Sequence, residues 1–183
     1  MKKRAVIAAC AVAALIVLIL FMKPESVGDH YEGSAFSGAA DGTVTLEVSC
    51  AEIANSPEAG ASLKENGLVP DDGILVYETG FPIIGGDTAF SVLSRALKER
   101  RIHFDYSAVG DHSVYVKGIN NIYEYDCGDL SGWMYSVNGD FPTVSASEYT
   151  LSDGDSVRWI YTCDLGRDVG DTYYALQGGG TDE

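Results

Sequence analysis

The sequence predicts an α+β domain, because one amphipathic helix stands among about six to eight short strands. In several stretches, large apolar side chains alternate with small or polar ones, which is the pattern of half-buried strands. Turn pairs such as Asn138-Gly139 and Asp153-Gly154 separate these stretches. Only the stretch that follows Asp87 places apolar residues at helical spacing. Several strands combined with one main helix are typical of the α+β class.

An uncharged apolar segment, residues 5–22, precedes this domain and follows the basic residues Lys2, Lys3 and Arg4. As a helix rising roughly 1.5 Å per residue, it is about long enough to cross a bilayer. The apolar part of a cleaved signal peptide is usually shorter, about 7–15 residues. We therefore predict that residues 1–24 are a cytoplasmic basic stub and a transmembrane signal anchor, with the rest of the chain extracellular. A cleaved signal peptide, which would give a secreted protein, is the alternative.

The remainder of the chain divides into a flexible stalk at 25–42, a folded domain at 43–170 and a flexible tail at 171–183. The stalk and the tail are rich in glycine and polar residues and lack a sustained period. The net charge of the whole chain is −15, and every acidic residue lies at or after Glu25. Such a surface repels phosphate backbones, so no nucleic-acid partner is expected.

The first half of the domain contains two predicted strands. Residues 43–50 alternate cleanly, which places Val44, Leu46 and Val48 on one face. Residues 74–79 form the second strand, with 81–84 as its continuation. Between them, proline and glycine interrupt the chain, so a long helix is not expected there.

The one main helix is predicted to begin after Asp87, whose carboxylate is a good N-cap. Phe90, Leu93 and Leu97 then recur at helical spacing, and basic residues crowd the last turn, where they suit the negative end of the helix dipole. This apolar stripe predicts that the helix packs across the sheet.

The second half of the domain is richer in aromatic strands. Short strands are predicted at 102–107, 113–117, 122–125, 133–137 and 157–161. Alternation places Trp133 and Tyr135 on one face of their strand, and Trp159 and Tyr161 on one face of theirs. Either both pairs are ordinary core, or one pair is exposed as an apolar patch suited to a flat ligand or a partner surface.

The aromatic strands also carry a family resemblance. The sequence Gly-Trp-Met-Tyr-Ser-Val-Asn-Gly at 132–139, the Asp-Gly-Asp turn at 153–155, the following Trp-Ile-Tyr strand and the stretch 119–128 resemble the transcobalamin-like C-terminal domain, DUF4430. This is similar to the smaller, β-rich domain of the cobalamin carriers, and the resemblance extends over about 43–170. It implies a compact β-grasp-like sheet with the helix packed on it, and cobalamin or another corrinoid as the leading small-molecule ligand.

We expect a non-enzymatic ligand-binding module. His30, His103 and His112 are scattered, and no nucleophile–base pair or metal motif can be assembled, so no catalytic or metal-ligating residue is predicted. The predicted ligand-binding residues are Trp133, Tyr135, Asn138, Phe141 and Trp159. In the carriers, a larger helical domain completes the site, and these 183 residues contain no such region. The chain is therefore expected either to capture its ligand weakly or to need a protein partner that completes the site. The alternative is an adhesion or scaffold domain that binds protein or cell-wall glycan through an aromatic face.

Three cysteines follow the apolar segment, in a location that permits disulfides. Cys127 and Cys163 each come just after a predicted aromatic strand, so we predict a disulfide between them. Cys50 faces inward in its strand and is the odd one out, although a Cys50–Cys127 bridge remains open. A zinc site would need a fourth ligand and closer spacing.

Overall fold

The computed structural model describes residues 40–173 of the chain. The predicted signal anchor, nearly all of the stalk and most of the tail lie outside the described residues. Within 40–173, none of the helices combines the length and the apolar character needed to cross a bilayer.

The larger sheet has four strands, in the order β2-β1-β7-β6. They are β1 (Gly42–Ser49), β2 (Ile74–Ile83), β6 (Gly132–Val137) and β7 (Ser156–Thr162). The central strands β1 and β7 run parallel, whereas β2 and β6 each pair antiparallel with their neighbour. The first and last strands of the domain therefore meet in the middle of the sheet.

The smaller sheet has three antiparallel strands, in the order β3-β4-β5. They are β3 (Phe104–Val109), β4 (Ser113–Ile119) and β5 (Ile122–Tyr123). The described residues thus contain seven strands, within the predicted range, but in two sheets and not in the single sheet predicted. Alternation fixes which side chains share a face, and it does not fix which strand edges pair.

Three α-helices lie wholly within the described residues, α1 (Ala51–Asn55), α2 (Ala61–Glu65) and α3 (Ala89–Arg100), and a short 3-10 helix follows at Arg167–Val169. The predicted N-cap of α3 was wrong by one residue. Thr88 caps the helix in a capping box with Ser91, in which each side chain bonds to the backbone of the other. The Asp87 carboxylate instead accepts a hydrogen bond from the Ile84 amide at 3.0 Å and pairs with Arg95 at 2.7 Å.

The core contains the apolar stripe of α3, as predicted. Phe90, Leu93 and Leu97 are fully buried, together with the inward face of β1. The Phe90 ring lies edge-on to Tyr106 of β3, with centroids 4.9 Å apart. At the other end of the helix, the Arg100 guanidinium lies 4.9 Å from the centre of the Phe81 ring of β2. The helix thus connects the two sheets through apolar and cation–π contacts.

Candidate functional site

The aromatic side chains of β6 and β7 form one buried layer. Register places Trp133 opposite Tyr161 and Tyr135 opposite Trp159, so all four lie on the same face of the sheet. The facing rings are 5.3 and 5.5 Å apart between centroids. None of the four is more than 9% exposed. Of the two alternatives left open by the sequence, the structure has the one in which both pairs are core.

Three of these four residues also use their polar atoms inside the protein. The Trp133 indole donates to the Ile122 carbonyl at 2.8 Å, and the Tyr135 hydroxyl donates to the Val144 carbonyl at 2.8 Å. The Tyr161 hydroxyl donates to the Tyr123 carbonyl at 2.7 Å. Burial raises the pKa of Tyr135 to about 12, which keeps it a neutral donor. These rings hold the second half of the domain together and do not form an exposed platform.

The indole N–H of Trp159 differs from the other three polar groups. It is buried and has no hydrogen-bond partner among the described residues. Its ring stacks on Tyr135, and only 3% of the residue is exposed. A buried donor without a partner costs stability. Trp133, Tyr135 and Trp159 were predicted to bind ligand. Because all three residues are buried, their rings offer a ligand no surface in this conformation.

Asn138 is exposed at the tip of the hairpin, where its side chain has a structural task. Both Asn138 (φ 54°) and Gly139 (φ 90°) have positive φ, as a type I′ turn requires. The side-chain amide of Asn138 donates to the Asp155 carboxylate at 2.8 Å, and its oxygen accepts from the backbone N–H of Ser156 at 2.9 Å. These bonds tie the Asn-Gly turn to the Asp-Gly turn, which explains why both turns stood out in the sequence.

Two hollows lie side by side along β6 and share Met134. We call them together the β6 groove. The first, of about 280 Å³, has a lining that includes Tyr115, Tyr125, Asp129, Leu130, Gly132 and Leu165. The second, of about 360 Å³, is lined by Tyr135, Phe141, Pro142, Thr143, Asp171 and Tyr173 besides Met134. Each has about the lowest volume typical of small-molecule sites.

The groove walls carry aromatic rings that the core does not use. Tyr125 is 63% exposed, and Tyr115 and Tyr173 are exposed as well. Phe141, which the sequence predicted as a ligand-binding residue, is half-buried in the second hollow. Of the five predicted residues, Phe141 is therefore the one whose side chain lies in a hollow and is partly accessible.

The charges of the groove have one sign. Asp129 lies in the first hollow and Asp171 in the second, and no Lys, Arg or His is part of either lining. Beside the first hollow, the Tyr115 hydroxyl donates to Glu124 at 2.7 Å. Burial, followed by this hydrogen bond, raises the pKa of Tyr115 well above its usual range, so the phenol stays protonated. The groove therefore favours neutral or cationic ligands over anionic ones.

The three cysteines of the domain are free thiols, so the predicted Cys127–Cys163 disulfide is not present. Its alternative, Cys50–Cys127, is not present either. The thiols of Cys127 and Cys163 are nevertheless hydrogen-bonded to each other. Burial raises the pKa of Cys50 to about 12 and that of Cys163 to about 12. Cys50 and Cys163 are therefore protonated at neutral pH, and a thiol oxidises more slowly than a thiolate.

Across residues 40–173, no three side chains of His, Cys, Asp or Glu converge as metal ligands would. His103 lies against Tyr123, with its Nε2 atom 3.0 Å from the phenol oxygen.

Sequence reasoning missed most of the groove. Tyr115, Leu130 and the pair Asp171 and Tyr173 come from three separate parts of the chain, and only the fold brings them to β6. One signal was available. Tyr115 alternates with Val114 and Val116, which are buried, so its side chain had to point away from the core.

Comparison with known proteins confirms the family resemblance. The family model DUF4430, a domain of unknown function, matches residues 86–162. No curated protein matches the chain.

The solved structures to which the chain is similar include two at 15% sequence identity each. The first is haptocorrin in complex with Cbi, with a TM-score of 0.48 over 70% of this chain and 27% of the haptocorrin chain. The second, from Ruminococcus gnavus, has a description that suggests metal binding, with a TM-score of 0.38 over 67% of this chain and 97% of that one. The chain thus spans about a quarter of the length of the haptocorrin it matches.

Proposed function

We propose that this chain, whose residues 86–162 are a DUF4430 domain, is a membrane-tethered extracellular binding module and not an enzyme. The apolar segment at 5–22, with the basic residues before it, supports the tether. The order β2-β1-β7-β6, with its parallel central pair, supports the β-grasp-like arrangement that the resemblance implies.

The β6 groove is the observation that carries the proposal. It is open and mixes aromatic with polar side chains, and three of its tyrosines, Tyr115, Tyr125 and Tyr173, are exposed. Exposed aromatic rings of this kind suit a flat ligand with polar edges. Together with the cobalamin-carrier resemblance of the sequence, this makes a corrinoid the small-molecule ligand that we propose. The binding surface that we propose is therefore the β6 groove, and not the aromatic face that was predicted from the sequence.

The size of the groove limits what it can do alone. A corrin ring with its amide side chains is larger than either hollow, so the groove would cover one edge of the ligand and leave the remainder in water. Small-molecule sites that bind tightly usually bury most of their ligand. We therefore expect autonomous binding no tighter than about micromolar, which corresponds to roughly −8 kcal/mol. A partner protein would have to cover the other side for tight capture.

Equilibrium dialysis of the full chain in nonionic detergent against cyanocobalamin, read by corrin absorbance, tests this proposal. The informative variant is Tyr125→Ala, because this exposed ring lines the first hollow. Its matched control is Tyr77→Ala. Tyr77 is 66% exposed on β2, at the opposite edge of the four-stranded sheet.

We expect saturable binding that Tyr125→Ala weakens at least threefold and Tyr77→Ala leaves unchanged. Absence of binding up to about millimolar ligand would refute corrinoid capture by this chain alone. Equal weakening by both variants would place the ligand elsewhere than the groove.

A further inference from the structure

We propose that the free edge of β6 binds an extended, positively charged peptide by strand addition, with the β6 groove receiving its side chains. This inference uses the same groove as the proposed function, but it does not require that the groove binds a corrinoid. Its occupant is a segment of a partner protein that carries lysine or arginine among alternating apolar residues.

The first argument is that β6 pairs with another strand on one side only. It is the last strand in the order β2-β1-β7-β6. On its other side, the Tyr125 N–H donates to the Ser131 carbonyl at one end and Val137 pairs with Asp140 at the other, and the edge between these two contacts is open.

Just beyond the end of β6, the backbone N–H of Asn138 donates to the Ser156 carbonyl at the start of β7. In an antiparallel pair, the residues that bond to the partner alternate with those that face away. The backbone groups of Trp133 and Tyr135 therefore point to the free edge. In the part of the chain that the structure describes, none of them has a hydrogen-bond partner.

The second argument is that the groove lies along these backbone groups. Trp133 lines the first hollow and Tyr135 the second, yet both side chains are buried in the aromatic layer. What these two residues present to the groove is therefore mainly their backbone. A peptide paired there would run parallel to the groove. Its successive outward side chains, spaced about 7 Å apart, would reach the two hollows on either side of Met134.

The third argument comes from the contrast with the other edge of the sheet. Edge strands are commonly protected from pairing by proline, charge or bulges. The edge strand β2 has these features, since it contains Glu78 and Pro82 and its register with β1 shifts twice. By contrast, β6 has the sequence Gly-Trp-Met-Tyr-Ser-Val and an unbroken register with β7. The strand lacks proline, charge and register shifts, and its open edge is covered only at its two ends, by Tyr125 and Asp140, which leaves Trp133 and Tyr135 available for pairing.

Charge determines which peptide fits. Asp129 and Asp171 place one carboxylate in each hollow, and neither belongs to an ion pair among residues 40–173. The full chain carries a net charge of −15. A second copy of this chain would bring the same negative charge to the edge, so like-charge repulsion opposes self-pairing. A peptide with cationic residues flanking apolar ones satisfies both the hollows and the carboxylates.

The test uses the full chain in nonionic detergent and the fluorescein-labelled probe peptide Lys-Val-Thr-Val-Thr-Val-Lys-amide, followed by fluorescence anisotropy. One protein variant combines Asp129→Asn with Asp171→Asn. Its control combines Glu58→Gln with Glu78→Gln, which removes the same charge from exposed residues that line neither hollow. Two further probe peptides carry N-methyl groups, which remove backbone N–H donors. One is methylated only on the amides that face one edge of the extended peptide, and the other is methylated on all its amides.

We expect saturable binding that weakens as salt rises. The Asp129→Asn/Asp171→Asn variant should bind about three- to tenfold more weakly, as expected for two exposed ion pairs, and the control variant should bind like the original chain. The peptide methylated on one edge should still bind through its other edge, and the fully methylated peptide should lose binding at least tenfold.

Three results would overturn the proposal. Undiminished binding of the fully methylated peptide would show that no strand pairing occurs. Absence of binding at low salt, up to about millimolar peptide, would show that β6 offers no peptide-binding site. Dimers of the chain that the peptide dissociates would make a second copy the occupant. Peptide binding without cyanocobalamin binding would support this inference and refute corrinoid capture, and the converse pattern would do the opposite.

Discussion

Trp133 and Trp159 provide a matched test of whether the aromatic strands are core. Both indoles are almost fully buried in one layer, but the Trp133 N–H is bonded to the Ile122 carbonyl and the Trp159 N–H has no partner. Replacing each in turn by phenylalanine removes the same group from two different environments. We expect Trp133→Phe to be clearly destabilising and Trp159→Phe to be nearly neutral.

The expected sizes follow from the contacts. Either change loses about 1 kcal/mol of apolar burial because phenyl is smaller than indole. Trp133→Phe also removes the indole hydrogen bond to the Ile122 carbonyl, which adds about 0.5–1.5 kcal/mol. Its total cost is therefore about 1.5–2.5 kcal/mol. Trp159→Phe removes a buried donor that was already unpaired, and this relief of about 1–3 kcal/mol offsets the lost burial.

Urea unfolding of the full chain in detergent, followed by far-ultraviolet circular dichroism, measures both values without depending on tryptophan fluorescence. Equal losses at the two positions would refute the hydrogen-bond assignment. A stable Trp133→Phe protein that has lost cyanocobalamin binding would refute the core assignment, because it would make Trp133 a ligand contact.

Two further predictions concern charge and backbone geometry. Burial alone would raise the pKa of Asp87, but hydrogen bonds from Ile84, Arg95 and Ser91 outweigh it and lower the pKa from its usual value. Asp87→Asn should therefore lower the free energy of unfolding by about 1–3 kcal/mol at pH 7, and the difference should shrink below about pH 4, as the carboxyl of the original chain protonates. A pH-independent difference in urea unfolding would contradict this. Gly73→Ala should cost several kcal/mol, because a Cβ atom there would lie 2.4 Å from the Ala51 Cα atom, whereas Gly67→Ala, at a similar positive φ with open space around it, should cost about 1 kcal/mol. Similar melting temperatures for these two variants would show that the contact with Ala51 is relieved.

The strands were the most predictable part of the fold. Alternation located β1, β2 and β7 to within a few residues, and β1 shows the pattern most clearly, because Val44, Leu46 and Val48 are buried and the residues between them are half-buried. The helix was predictable for the same reason, through Phe90, Leu93 and Leu97. Its first turn was not, because Asp87 and Thr88 are both good caps, and the Asp87 carboxylate is instead bonded to Ile84, Ser91 and Arg95.

The site was harder to predict than the fold. Alternation correctly placed Trp133 beside Tyr135 on one face, but a period of two is the same whether that face meets water or another layer. The layer that covers it comes from residues such as Ile122 and Val144, which no local pattern links to β6. The groove has the same origin, since its two hollows depend on loops that reach the edge strand only after folding.

The parallel pairing of β1 with β7 has a consequence for how the domain can form. Thr45–Ser49 bonds to Ser156–Ile160, so the centre of the sheet joins residues separated by more than a hundred positions along the chain. The β1–β2 hairpin can form early, but the second edge of β1 stays open until the last strand is available. Loop closure over this length is slow compared with local pairing. A chain interrupted before Ser156 would therefore expose an unpaired apolar strand, so shortened products should aggregate instead of persisting as smaller folded units.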